Sequence, residues 1–213
     1  MRRWHTPCLM LITDRARLRG RPLEEVASQA VEGGATVVQL REKGLPTGEL
    51  YDLAITLRAV LRGRALLFVN DRVDVALAAG ADGVHLPEHS LPGKAVRALV
   101  SEGCIVGRSV HSVDAAARAE AEGADFVQIG AVYETKSKPE RTPGGVELVR
   151  AVAEAVRVPV IAVGGITAEN VAEVVEAGAD GVAVIGAILD EDDAERAAER
   201  LRCALDDACG GLS

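Results

Sequence analysis

The sequence predicts a (β/α)8 barrel, and two observations predict it. The first is alternation: short runs rich in Val, Ile and Leu are each followed by a longer Ala/Leu/Glu/Arg segment of helical period. The second is a repeat, Gly-Ala-Thr/Asp, beginning at Gly34, Gly80, Gly123 and Gly178 and reading GATVVQL, GADGVHL, GADFVQI and GADGVAV. Each copy follows a helical segment and opens a strand. The copies lie about two βα units apart, so they mark strands two, four, six and eight. Gly fits there as a helix C-terminal cap, where a positive φ carries no Cβ penalty.

Taken in order, strands are expected over 8–13, 36–41, 66–70, 83–86, 105–109, 126–129, 159–163 and 181–184. Helices are expected over 23–32, 47–62, 72–79, 92–100, 113–121, 146–156, 167–176 and 191–208. A doubly wound open sheet is the competing fold. Eight regular units in 213 residues leave hardly any excess chain and favour the barrel.

Composition narrows the function classes. With 48% hydrophobic and 26% charged residues, positions 1–213 read as one globular domain, and disorder is excluded. Apolar runs are too short to span a bilayer, and the N-terminus makes a poor signal peptide. Cys8, Cys104, Cys203 and Cys209 form no C-x-x-C pair, which suits reduced thiols in the cytoplasm. A net charge of −8 and 2% aromatic residues argue against nucleic acid as a partner. A membrane partner is not expected either, while a homo-oligomer is compatible with the sequence.

In this fold the site lies at the C-terminal strand ends. Gly164-Gly165 and Ile185-Gly186 follow strands seven and eight, where this fold commonly binds phosphate through backbone N–H groups; tight turns also want Gly. Gln39, Arg41 and Lys43 share a face if strand two continues, and two cations suit an anion. Asn70-Asp71 and Ser90 read equally as helix N-caps. Ser109 ends strand five. His111 follows it and titrates near neutral pH, which suits proton transfer. His85 is undecided between the barrel interior and its outside, and the sequence leaves the role of His89 open. Residues 130–145 form a long loop carrying Thr135, Lys136, Ser137 and Lys138, either a surface loop or a lid over an anion.

These residues in this order resemble the thiamine phosphate synthase/TenI superfamily. The resemblance runs through VQLREK at 38–43, VNDRVDVAL at 69–77, ADGVHLPEHSLP at 81–92, GRSVHS at 107–112, GADFVQIGAVYETKSK at 123–138, AVGGI at 162–166 and GADGVAVIGAI at 178–188. In the synthase branch it implies a pyrimidine diphosphate on Gln39, Arg41, Lys43, Asn70 and Ser109. It also implies Mg2+ on Asp71 and a second aspartate, whose place here is taken by Ser90, with Glu88 a substitute carboxylate. Glu134 stands where the synthase loop has Pro. Ser90 and Glu134 together point to the TenI branch. The expectation is therefore an isomerase, a thiazole tautomerase of thiamine biosynthesis without metal or other cofactor. His111 would shift the proton on a phosphorylated thiazole held by Thr135, Ser137, Lys138, Gly164, Gly165, Ile185 and Gly186. The alternatives are a Mg2+-dependent thiamine phosphate synthase and a non-catalytic TenI-like regulatory protein.

Overall fold

In the computed structural model, which describes residues 6–135 and 142–211, eight parallel strands close into a barrel in sequence order. They are β1 (Cys8–Ile12), β2 (Val37–Leu40), β3 (Leu66–Asn70), β4 (Gly83–Leu86), β5 (Ile105–Val110), β6 (Phe126–Gly130), β7 (Val160–Val163) and β8 (Gly181–Val184). β1 closes the ring against β8, with Cys8 opposite Gly181. The helices are α1 (Leu23–Glu32), α2 (Thr47–Leu61), α3 (Val73–Ala79), α4 (Gly93–Arg97), α5 (Val113–Ala121), α6 (Gly145–Ala155), α7 (Val171–Glu176), α8 (Gly186–Leu189) and α9 (Ala194–Gly210). The expected barrel is thus the observed one. Two short elements were not expected: α8, straight after β8, and a 3-10 turn at Arg15–Arg17 capped by the Asp14 carboxylate.

The repeat proves to be a complete device for joining a helix to an even strand. Gly34, Gly80, Gly123 and Gly178 all have positive φ. The following Ala N–H reaches back to a carbonyl five residues earlier: Ala35 to Ala30, Ala81 to Ala76, Ala124 to Ala119 and Ala179 to Val174, at 2.9–3.2 Å. This is the Schellman bond that satisfies the last helical carbonyls. The third residue then ties down the neighbouring odd strand. Asp82, Asp125 and Asp180 accept the N–H of Leu67, Val106 and Val160 at 2.7–2.9 Å, and Thr36 accepts that of Leu9 at 3.3 Å. A polar side chain is needed because those N–H groups begin a strand, where they would otherwise lack a partner.

Side chains divide by the two-residue strand period. Leu9, Leu11, Val38, Leu67 and their like face the helices. Met10, Val37, Phe68, Phe126, Ile161 and Ala183 fill the barrel. The rings of Phe68 and Phe126 stack at 5.7 Å and plug its middle. Room for them comes from two glycines on neighbouring strands: a Cβ on Gly83 would lie 2.8 Å from the Phe68 ring, and one on Gly107 would overlap the Phe126 ring. Burial pushes the Cys8 thiol up to about 12, so it stays protonated and inert. No helix among the described residues is long and apolar enough to cross a membrane.

Candidate active site

Above the aromatic plug, at the C-terminal ends of the strands, lies a cavity of 380 Å³. Each strand contributes an inward residue to its wall. β2 to β6 supply Gln39, Asn70, His85, Ser109 and Gln128; β7, β8 and β1 supply Val163, Ala183 and Ile12. One half of the cavity is therefore polar and the other apolar. The apolar half is capped by the loops after β7 and β8, where Gly164, Gly165, Ile185 and Gly186 border the cavity. Gly164 and Gly165 hold φ of +106° and +67°, and a Cβ on Gly165 would come within 2.5 Å of the Glu134 carbonyl oxygen. These backbones lie bare to the cavity because their residues have no side chain.

The polar half is ordered by a short chain of contacts. His85 is buried and faces inward, which settles the ambiguity left by its strand position. Its Nε2 lies 2.8 Å from Ser109 Oγ, and its ring packs 5.6 Å from that of Phe126. The His85 carbonyl accepts the Asp71 N–H at 2.9 Å. His111 Nδ1 bonds the Gly130 carbonyl oxygen, which can only accept, so Nδ1 carries the proton and Nε2 is left to face the Glu88 carboxylate at 3.6 Å. His89 is exposed.

Several expectations change here. β2 ends at Leu40, so Arg41 and Lys43 do not share a strand face. Arg41 borders the cavity and hangs its N–H on Thr13 Oγ1 at 2.9 Å, whereas Lys43 is exposed and outside the wall. Asp71 is not the cap of α3, because Arg72 holds that place; Asp71 sits in a left-handed turn at φ 65°. Ser90 is no cap either. Pro92 takes that position in α4, and the Ser90 hydroxyl donates to Asp71 Oδ1. Thr135 borders the cavity, while Ser137 and Lys138 lie outside the described residues. The sequence reading missed an ion pair at the rim, in which Arg17 Nη1 meets both Asp190 oxygens at 2.7 and 2.9 Å. Tyr133, in the loop after β6, donates to Glu173 at 2.9 Å; burial and that carboxylate push its phenol up to about 12, so it acts as no base near neutrality.

Residues 9–188 match the family described as thiamine monophosphate synthase. The chain belongs to that family. The thiamine-phosphate synthase of Methanoculleus marisnigri is 48% identical over 91% of this chain and 93% of its own. That of Natronomonas pharaonis is 45% identical over 92% and 94%. The structure of a thiamine phosphate pyrophosphorylase from Pyrococcus furiosus has a TM-score of 0.86 at 42% identity, over 94% of this chain and 96% of that one.

Membership and names at this identity overturn the tautomerase expectation, and with it the isomerase class. That expectation leaned on Ser90 and Glu134. Ser90 still touches Asp71, so the loop after β4 lies beside the end of β3, with a hydroxyl where the resemblance implies a carboxylate. Glu88 does not restore that charge beside Asp71, because its carboxylate is turned toward His111. Among the described residues no group of three or more His, Cys, Asp or Glu side chains is assembled to hold a metal.

Position 90 is testable directly. Ser90→Asp is expected to raise Mg2+ affinity about tenfold, since a second carboxylate joins the first. Without metal the two like charges repel, so the variant melts lower in chelator and regains its Tm with Mg2+. Calorimetric Mg2+ titration checks this; an unchanged affinity means that position 90 does not face a Mg2+ site.

Proposed function

We propose that this chain is a Mg2+-dependent thiamine-phosphate synthase, joining hydroxymethylpyrimidine diphosphate to a thiazole phosphate with release of pyrophosphate. The observation that carries the reading is the division of the cavity. The residues matching the family's pyrimidine-diphosphate set, Gln39, Asn70 and Ser109, lie on its polar half, with Arg41 at the rim. The two glycine loops lie on its apolar half, where a thiazole and its phosphate fit.

In this reading the C–O bond to the diphosphate breaks and a C–N bond forms from the thiazole nitrogen. Arg41 draws the leaving diphosphate as a fixed cation with bidentate reach. Gly164, Gly165, Ile185 and Gly186 hold the thiazole phosphate through backbone N–H groups. Both reactants then meet in one walled space, which turns a bimolecular step into an effectively unimolecular one. His111 is a proton holder at the wall, with its ring fixed by Gly130 and Glu88.

Asp71 and Ser90 suit Mg2+ as a half-site. This ion is commonly held by one or two carboxylates plus substrate phosphates and keeps several waters. A carboxylate whose bonded neighbour is a small hydroxyl fits that demand. Bound there, the ion would neutralise charge on the diphosphate. The test is product identification: the purified chain, given both substrates and Mg2+, forms a species with the mass of thiamine phosphate. Unreacted substrates after prolonged incubation would count against the assignment.

A further inference from the structure

The proposed transfer leaves Gln128 without a role. It stands on β6, is 6% exposed and borders the cavity. Its Oε1 is buried with no hydrogen-bond partner among the described residues. Buried acceptors are normally satisfied, and one left unmade in a cavity wall asks for a donor from what fills the cavity. In register it lies between Ser109 on β5 and Ile161 on β7, the last polar residue before the apolar half.

We infer that Gln128 is a specificity-determining residue for the pyrimidine substrate, hydrogen-bonded to the amino-bearing edge of its ring. The inference deepens the proposed function and rests on it. An amide offers an acceptor and a donor side by side, and an aminopyrimidine edge offers the complement, an amino N–H beside a ring nitrogen. Asn and Gln read adenine in the same way. The terminal amide torsion is soft, so a half-turn brings either atom to the ligand. Chemistry also separates the two substrates. The thiazole ring carries no N–H donor, so it leaves Oε1 unsatisfied; the aminopyrimidine satisfies it.

The test is calorimetric binding of hydroxymethylpyrimidine diphosphate in Mg2+ buffer without thiazole phosphate, beside an analogue lacking the amino group. Wild type is compared with Gln128→Met and Gln128→Leu, and the unliganded proteins are melted in parallel. Wild type is expected to prefer the amino ring by about tenfold or more, because a site built around a hydrogen bond rejects the ligand lacking it. The Met variant should bind the amino ring about tenfold more weakly and lose the preference. Its KM for thiazole phosphate should stay within about twofold, and its Tm should not fall, since an orphaned acceptor has been removed. A preference retained by both variants overturns the inference. So does a lowered Tm with equal losses for both substrates, which marks a structural residue. Binding is read without turnover. A wild type that prefers the amino ring, with that preference lost in both variants, yet makes no thiamine phosphate fails the proposed activity and leaves Gln128 assigned. A wild type with no preference overturns Gln128 whatever its activity.

Discussion

Asp71→Asn is expected to lower the Mg2+-dependent kcat/KM by about 100-fold, which corresponds to roughly 2.7 kcal/mol of lost transition-state stabilisation. The size follows from the makeup of the half-site. Asp71 is the carboxylate there, and its bonded neighbour is the hydroxyl of Ser90. Among the described residues no group of three or more His, Cys, Asp or Glu side chains gathers to hold a metal when the first carboxylate is removed. The substitution is clean on the backbone. Asp71 has φ 65°, a region that Asn enters readily. The turn it occupies is held by main-chain bonds, Asp71 N–H to His85 O at 2.9 Å and Arg72 N–H to Asn70 O at 2.8 Å, which Asn preserves. The amide oxygen still accepts from Ser90. Steady-state rates across a Mg2+ titration check the effect. A variant with wild-type Mg2+ dependence would move the ion away from β3.

The second large effect is expected at the other half of the cavity. Gly165→Ala meets two obstacles. Its φ of +67° disfavours any Cβ, at about 1–2 kcal/mol. The new methyl also falls 2.5 Å from the Glu134 carbonyl oxygen and 2.7 Å from Tyr133 Cβ. Backbone cannot yield as a flexible side chain does, so the loops after β6 and β7 must separate. Those loops carry Thr135 and the expected phosphate donors. The KM for thiazole phosphate should rise by about 30-fold or more, since a displacement of about 1 Å can cost 100-fold. Affinity for the pyrimidine diphosphate should change little. Two-substrate kinetics separate these effects. An unchanged thiazole KM would remove the β7 loop from phosphate binding.

The barrel was legible because its signals are periodic and local. Alternation gave every strand to within a residue or so at its ends, and the repeat gave the cap at Gly34, Gly80, Gly123 and Gly178. What the repeat did not reveal was the work of Asp82, Asp125 and Asp180, whose partners lie 15, 19 and 20 residues earlier. Distance in sequence also hid the Arg17–Asp190 pair, whose members are 173 residues apart. Gln39 and Ser109 were readable from their strand ends and from the family resemblance. Strand parity applied to Gln128, a polar residue among apolar neighbours on its strand, would have added it to the site.

Local cap signals misled at Ser90 and Asp71. Both sit just before a helix, yet each turns away from the helix N–H groups toward the other. The branch of the family was the least legible feature. It was judged from Ser90 and Glu134, while the intact cavity wall is built by residues from all eight strands. A change in one charge beside Asp71 leaves the rest of that wall in place.

The central claim is that the polar and glycine-lined halves of one cavity bring two substrates together for transfer. The most direct measurement is pyrophosphate release by the purified protein, with hydroxymethylpyrimidine diphosphate present, thiazole phosphate added or withheld, and Mg2+ supplied or chelated. The account predicts release that needs both thiazole phosphate and Mg2+, in step with thiamine phosphate formed. Folded protein saturated with both substrates and Mg2+ that releases no pyrophosphate would contradict it.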